Sequence, residues 1–304
     1  MRKNLSPLKN KEGLSPLHTH LIDGNNILIK GVIKMSRSKI DRTGETNISN
    51  EGCVIKIVEY NNVKDVMVEF QDEHKYRVHT SYKHFKEGVC KNPFYPSVLG
   101  HGYLGVDKNG NVPKTTELKE GKWCITWKYI KWREMLQRCF DNKLKERYPT
   151  YKEVTCCDRW LCFVNFLEDL EALKNEYNWD DDIKLNLDKD ILHKGNKIYS
   201  LENCVLVPQW INKLFTKSDA NRGDCPIGVS YHKASKKYQA NCSINGKLKS
   251  LGLYNTIEEA FNAYKIAKEQ EIKRVADDCV LKGYITQESR LYNAMINYQV
   301  EIDD

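Results

Sequence analysis

The apolar positions along this chain change period several times, and each change marks a different kind of element. In residues 46–105 the runs "CVIKIVEY" and "VMVEF" partly alternate β-branched and aromatic residues with polar ones, broken by Asn61-Asn62. That pattern predicts short strands joined by tight turns. "EHKYRVHT" supplies a third strand after Gln71-Asp72, and "YKHFKEGV" a turn of helix ended by Gly88. Strands this short predict a small curled barrel. From 122 to 172 the period becomes helical. Trp132, Met135, Leu136 and Cys139 fall at i, i+3, i+4 and i+7, and Trp160, Phe163, Phe166, Leu167 and Leu170 make a second face. Aromatic stripes of this kind build cores far more often than ligand sites.

Further on, "IKLNLD" predicts a strand ending at Asp188, and "ILHKGNKIYSLE" a loop turning at Gly195-Asn196. "NCVLVP" predicts a second strand, and Pro208 suits the first turn of a helix through Trp210, Ile211 and Leu214. A hairpin with a helix laid across it brings Asp188 and Asn212 to one side. Carboxylate and amide oxygens there suit a hard divalent cation, Mg²⁺ or Mn²⁺. The plain alternative is a buried strand and helix with Asp188 and Asp190 capping a turn.

The C-terminal part has the clearest pattern. In "KYQANCSI", Tyr238, Ala240, Cys242 and Ile244 point one way, and Gln239, Asn241 and Ser243 the other. Asn245-Gly246 signals a hairpin, and Thr256 with Glu259 forms a capping box that starts a helix. Ala260, Ala263, Tyr264 and Ala267 give that helix a face of small residues able to lie close on the sheet, its acids facing away. The other side of three strands is left open. Between Ile227 and Tyr254 stand five lysines and no acid, so the open side suits duplex DNA, lysines on phosphates and Gln239 and Asn241 on base edges. A merely solvated sheet face is the alternative.

These patterns predict an α+β multidomain chain. It comprises a basic N-terminal arm (1–45), a small β-barrel (46–108), a core braced by helices (122–216) and a linker (217–226). A three-stranded antiparallel sheet packed on one helix (227–280) and a C-terminal tail helix (281–304) complete it. Composition narrows the function. The 304 residues carry a net charge of +7, and residues 1–44 hold nine Lys or Arg against three acids, a balance that permits nucleic acid as partner. Eleven cysteines without any CxxC pair read as reduced thiols of a cytoplasmic protein rather than a zinc site. No run approaches the ~18 apolar residues of a membrane helix, and "MRKNLSPLKNKEG" lacks the apolar stretch of a signal peptide.

Asp188, Asn203 and Asn212, spaced fifteen and nine residues apart, resemble the core of HNH (ββα-metal, or His-Me finger) endonucleases of the homing type carried by bacteriophages. The resemblance implies that Asp188 and Asn212 hold Mg²⁺ or Mn²⁺, that Asn203 orders the loop and orients the base, and that the protein hydrolyses DNA phosphodiester bonds inside a bacterial cell. Where the family places its general-base histidine this chain has Lys189. An ordinary lysine, with a pKa near 10.4, is protonated at neutral pH and takes no proton from water. Lys189 can instead grip a phosphate, and such a core keeps a catalytic role if His193 swings in from the loop as base or if the ion alone activates its bound water at reduced rate. The alternative is a non-catalytic DNA-binding or regulatory protein with a degenerate HNH fold. Residues 46–105 also resemble an SH3-like module found beside phage nucleases. "GVSYHK", "KKYQA", "INGKLKSLGLY" and "TIEEAFNAY" resemble the Apetala-two/ethylene-response-factor domain. That likeness implies double-stranded DNA contacts through Ser230, His232, Gln239, Asn241 and Ser243, with Lys237, Lys247 and Lys249 nearby.

Overall fold

The computed structural model describes residues 40–216 and 225–304. Most of the expected arm, with its apolar run Ile27 to Ile33, and most of the linker lie outside the described residues. The rest is a mixed α+β molecule built from several small antiparallel sheets.

The first is a four-stranded meander of β1 (Thr46–Ile48), β2 (Val54–Asn62), β3 (Asp65–Phe70) and β4 (Arg77–Thr80), in that spatial order, followed by α1 (Tyr82–Lys86). β1 and β4 do not pair, so among the described residues the sheet stays open, and the expected closed barrel is not formed. Nor does β2 break at Asn61-Asn62. It runs through them, and the turn falls at Val63-Lys64. Ile55, Ile57, Val66, Val68, Phe70 and Phe85 give this sheet its own core. Residues 98–105, expected to belong to it, instead cross to the central core. Tyr103 bridges Cys162, and Gly102 lies so close to Leu136 and Trp132 that a side chain there would collide with both. Close backbone approach, not strand pairing, decides where this segment packs.

An exposed hairpin, β5 (Thr116–Lys119) with β6 (Lys122–Ile125), leads into α2 (Trp127–Phe140), capped by the Thr126 hydroxyl. As its spacing predicts, α2 buries Trp132, Met135, Leu136 and Cys139. α3 (Asn142–Arg147) and the two-residue β7 (Thr155–Cys156) follow, then α4 (Phe163–Asn175). Trp160 sits in a short 3-10 turn just before α4, where its Nε1 donates to Asp169 at 2.7 Å.

β8 (Leu185–Asp188) and β10 (Val205–Pro208) then pair antiparallel, Asp188 opposite Val205. The loop between them carries β9 (Ile198–Tyr199), which lies parallel to β7. α5 (Gln209–Phe215) starts directly after Pro208. The strand, loop, strand, helix order expected from the sequence is thus observed.

β11 (Val229–His232), β12 (Lys237–Ile244) and β13 (Lys247–Tyr254) form the C-terminal sheet in sequential antiparallel order. Asn245 and Gly246 both have positive φ (52° and 72°), as the two-residue hairpin demands. α6 (Ile257–Leu281) opens with the expected Thr256–Glu259 capping box. Its 25 residues reach further than the sheet. Ala260, Phe261 and Tyr264 pack on β11–β13, whereas Ile272, Val275, Ala276 and Cys279 belong to the central core. One continuous helix therefore joins the two. The tail forms α7 (Arg290–Ile296), shorter than expected, which buries Leu291 and Met295 in that same central core. Among the described residues no helix is long and apolar enough to cross a membrane.

Candidate functional site

A polar cavity of about 160 Å³ lies between α2, β8 and α5. Lys131, Glu134 and Arg138, at i, i+3 and i+7, bring one polar stripe of α2 to it; the buried stripe of Trp132, Met135 and Cys139 fixes that orientation. β8 contributes Asp188, α5 contributes Asn212 and β9 contributes Tyr199. Asp188 and Asn212, expected from the sequence to meet, do line one cavity. The α2 contribution is missed by sequence reasoning, in which this helix is scaffold. Its signal is nonetheless present, since Lys131, Glu134 and Arg138 repeat at the same helical period as the core residues.

The Asp188 side chain closes a turn. Its Oδ1 accepts from the backbone amides of Asp190 (2.8 Å) and Ile191 (2.9 Å), and among the described residues Oδ2 makes no hydrogen bond. Burial raises its carboxyl above the ordinary carboxylate value, and these two amides only partly oppose the rise. Among the described residues the Asn212 side-chain amide also makes no hydrogen bond; its backbone oxygen accepts from the Thr216 hydroxyl. Arg138 donates to the Tyr199 hydroxyl at 3.1 Å, and Lys131 to Asn186 Oδ1 at 3.4 Å. Burial lowers the Lys131 ammonium below the ordinary lysine value; Glu134, 3.6 Å away, opposes this, and Lys184 and Arg138 add to it.

The candidate bases fare differently. Lys189 is buried, and its Nζ is held by both Asp190 oxygens (2.8 and 2.7 Å) and by the Asn196 carbonyl (2.7 Å). All three ammonium hydrogens therefore have partners, and Lys189 braces the loop rather than gripping a phosphate. His193 is exposed and lines a different recess, beside Glu202 and Arg290, so it does not join Asp188. Its neighbour Lys194 ties the loop to the C-terminal tail through Asp304 (2.7 Å) and Glu301 (2.8 Å). Asn203 lies in the turn before β10, outside the cavity, and donates to the Ile198 carbonyl at 3.3 Å, a loop-ordering contact. Asn196 does more of that work. Its Nδ2 donates to the carbonyls of Lys189 (2.9 Å) and Ile198 (2.8 Å). In sequence, Asn196 stands out only as half of a turn pair.

Side chains directly opposite in an antiparallel pair share a face, so register sorts the C-terminal candidates. Ser230 opposes Gln239, His232 opposes Lys237, and Asn241 opposes Ser250. Gln239 Nε2 donates to Ser250 Oγ at 3.1 Å across that face. Ser230, His232, Lys237, Gln239, Asn241 and Ser243 therefore share the open side, as expected. Lys249 opposes buried Cys242 and Lys247 opposes Ile244, so both lysines flank the helix side of the sheet. The open positions of β13 are instead Leu248 (76% exposed), Ser250 and Leu253. A register shift between Ala240 and Asn241 makes this strand hard to phase from sequence. The acids of α6 do not all face away either. Buried Glu271 accepts from the Asn245 amide (2.8 Å) and from Arg274 (2.8 Å), locking the hairpin tip to the helix.

Among the described residues no group of three or more His, Cys, Asp or Glu gathers as a metal site. A cation at Asp188 and Asn212 would take two protein ligands and complete its shell with water and substrate oxygens, a habit of Mg²⁺. The free Oδ2 and the free Asn212 amide fit that requirement, and a nearby positive charge would offset the unfavourable burial of the carboxylate. Comparison with protein families, curated proteins and solved structures finds no match to this chain, so the site is interpreted from its own geometry.

Proposed function

We propose that the chain is a DNA-binding phosphodiester hydrolase of the HNH type. The observation that carries the reading is the convergence of Asp188 and Asn212, from a strand end and a following helix, on one cavity with Lys131 and Arg138. Asp188 and Asn212 hold Mg²⁺ or Mn²⁺. When bound, that ion supplies charge stabilisation to the phosphate and the leaving oxygen. Lys131 and Arg138 hold the non-bridging phosphate oxygens, with Tyr199 setting the guanidinium position. Of the carboxylates lining the cavity, Asp188 is assigned to the metal and Asp190 takes two short hydrogen bonds from Lys189, which leaves Glu134, in a looser 3.6 Å ion pair with Lys131, to take the proton of the attacking water. The open face of β11–β13 binds duplex DNA through Lys237, Gln239 and Asn241.

The test is nicking of supercoiled plasmid by the full chain with Mg²⁺ or Mn²⁺, against Asp188→Asn and Glu134→Gln. Activity lost in both variants supports the reading; wild-type protein that nicks nothing removes it. A second reading has its own observation: among the described residues no histidine lines the cavity. On that reading the protein binds DNA without cutting it. Retained plasmid binding without nicking is the result it requires.

A further inference from the structure

A second cavity, of about 330 Å³, adjoins the first and shares Lys131 and Glu134 with it. The two follow each other along the same pair of walls. On one wall, α2 presents Trp127, Ile130, Lys131 and Glu134 to the second cavity, then Lys131, Glu134 and Arg138 to the first. On the other, residues 180–185 line the second cavity and residues 186–190 the first. The volume falls within the usual range for small-ligand pockets. Its character changes along the groove. The first cavity is mostly polar, with Leu187, Tyr151 and Tyr199 among its charged residues, whereas Trp127, Ile130, Trp179 and Ile183 line the second.

The indoles have different duties. Trp179 is buried, and its Nε1 donates to the Leu206 carbonyl at 2.9 Å, so it is a fixed wall. Trp127 is partly exposed at the start of α2, and among the described residues its ring nitrogen makes no hydrogen bond. At the rim, Asp180 accepts from Tyr284 (2.8 Å) and Asp181 pairs with Lys174 (3.1 Å), whereas Asp182 makes neither a hydrogen bond nor an ion pair among the described residues. An aromatic-lined cavity with a free acceptor at its rim, one helical turn from the lysine assigned to the phosphate, offers what a nucleobase requires: a ring to stack on and a carboxylate to accept from an exocyclic amino group.

We propose that this second cavity is a nucleobase subsite, taking the unstacked base of a nucleotide whose phosphate lies at Lys131 and Arg138. The base stacks on Trp127, and an exocyclic amino group donates to Asp182. The inference rests on the phosphodiester reading of the first cavity and adds a substrate class to it: DNA with a base out of the stack, as in a single strand or at a mismatch.

The test is calorimetric titration of the full chain, in Mg²⁺, with deoxyguanosine, deoxycytidine and thymidine 5′-monophosphates, and with abasic deoxyribose 5-phosphate. The two amino-bearing nucleotides are expected to bind about tenfold more tightly than the abasic compound. Trp127→Ala removes that advantage while leaving the abasic affinity unchanged, which also reports that the variant is folded. Asp182→Asn, on the exposed rim, narrows the gap between deoxycytidine and thymidine monophosphates. Equal binding of abasic and base-bearing compounds by the wild type, or an advantage that survives Trp127→Ala, overturns the subsite and leaves the phosphate reading intact. Failure of all four compounds to bind overturns both.

Discussion

The central cavity and the C-terminal sheet both set a polar surface on a small antiparallel sheet packed with helix, yet they use carboxylates in opposite ways. Asp188 is held above the ordinary carboxylate value because burial is only partly answered by two backbone amides. Glu271 is held below it, chiefly by its hydrogen bonds from Arg274, against some desolvation. The first is a charge the fold tolerates without satisfying, the usual condition of a group kept for a ligand. The second is a charge the fold satisfies, so that a hairpin tip and a helix stay together. The difference separates a site from a strut more sharply than residue type does.

Asp188→Asn tests that contrast with the largest expected effect. Asparagine keeps the Oδ1 acceptor for the Asp190 and Ile191 amides and removes the buried charge. Nicking should fall on the order of 100-fold or more, while the melting temperature without divalent ion holds or rises. The sign follows from the raised carboxyl. Its stabilising contribution is complete below the ordinary aspartate value of about 3.9 and is lost as pH rises through the higher folded value. At neutral pH the ionised group therefore costs stability. A variant that melts well below wild type would make Asp188 a strut like Glu271, and the contrast would collapse.

Glu271→Gln should do the reverse, leaving nicking chemistry untouched and lowering stability by about 1–3 kcal/mol, the usual cost of an impaired buried hydrogen-bond network. Because its folded carboxyl lies below the ordinary value, its contribution is complete above about pH 4.3 and is lost as pH falls through that lower value. Urea unfolding of wild type and variant, compared at neutral and acidic pH, should show the gap closing in acid. Lys189→Met belongs with it. The Asn196 carbonyl loses its partner, and stability should fall by roughly 1–3 kcal/mol, with less effect on nicking than Asp188→Asn has.

How much is legible in the sequence differs between the two regions for a physical reason. Local chemistry is legible in both: the capping box at Thr256, the turn at Asn245-Gly246, the buried stripe of α2, and the strand end at Asp188 followed by a helix bearing Asn212. These depend on neighbours within a few residues. What escapes depends on distant partners. The i, i+3, i+7 polar stripe of α2 becomes a cavity wall only once β8 lies across it. Lys189 looks available in sequence because its third partner, the carbonyl of Asn196, is seven residues away in a loop. Nothing near His193 in sequence shows that its neighbour Lys194 is tied to the tail, more than a hundred residues on. The first sheet reads as a barrel because closure depends on pairing between its first and last strands, which no local pattern encodes.

The smallest expected effect bears on the register of β13. If the open face of the C-terminal sheet is the DNA surface, Lys237 lies on it beside Gln239, whereas Lys247 and Lys249 flank the helix side opposite Ile244 and Cys242. Removing one lysine–phosphate pair should reduce the slope of log affinity against log salt by about 0.9. Lys237→Ala alone should therefore flatten the slope by close to that amount, and the double variant Lys247→Ala, Lys249→Ala by less. A lysine that merely adds to the general field weakens binding without a full ion's release. Counting lysines gives the opposite ranking, two residues outweighing one. A double variant with the greater flattening would put the DNA against the edge of β13 and the helix, and the exposed Leu248 and Leu253 would then need another explanation than a groove-facing sheet.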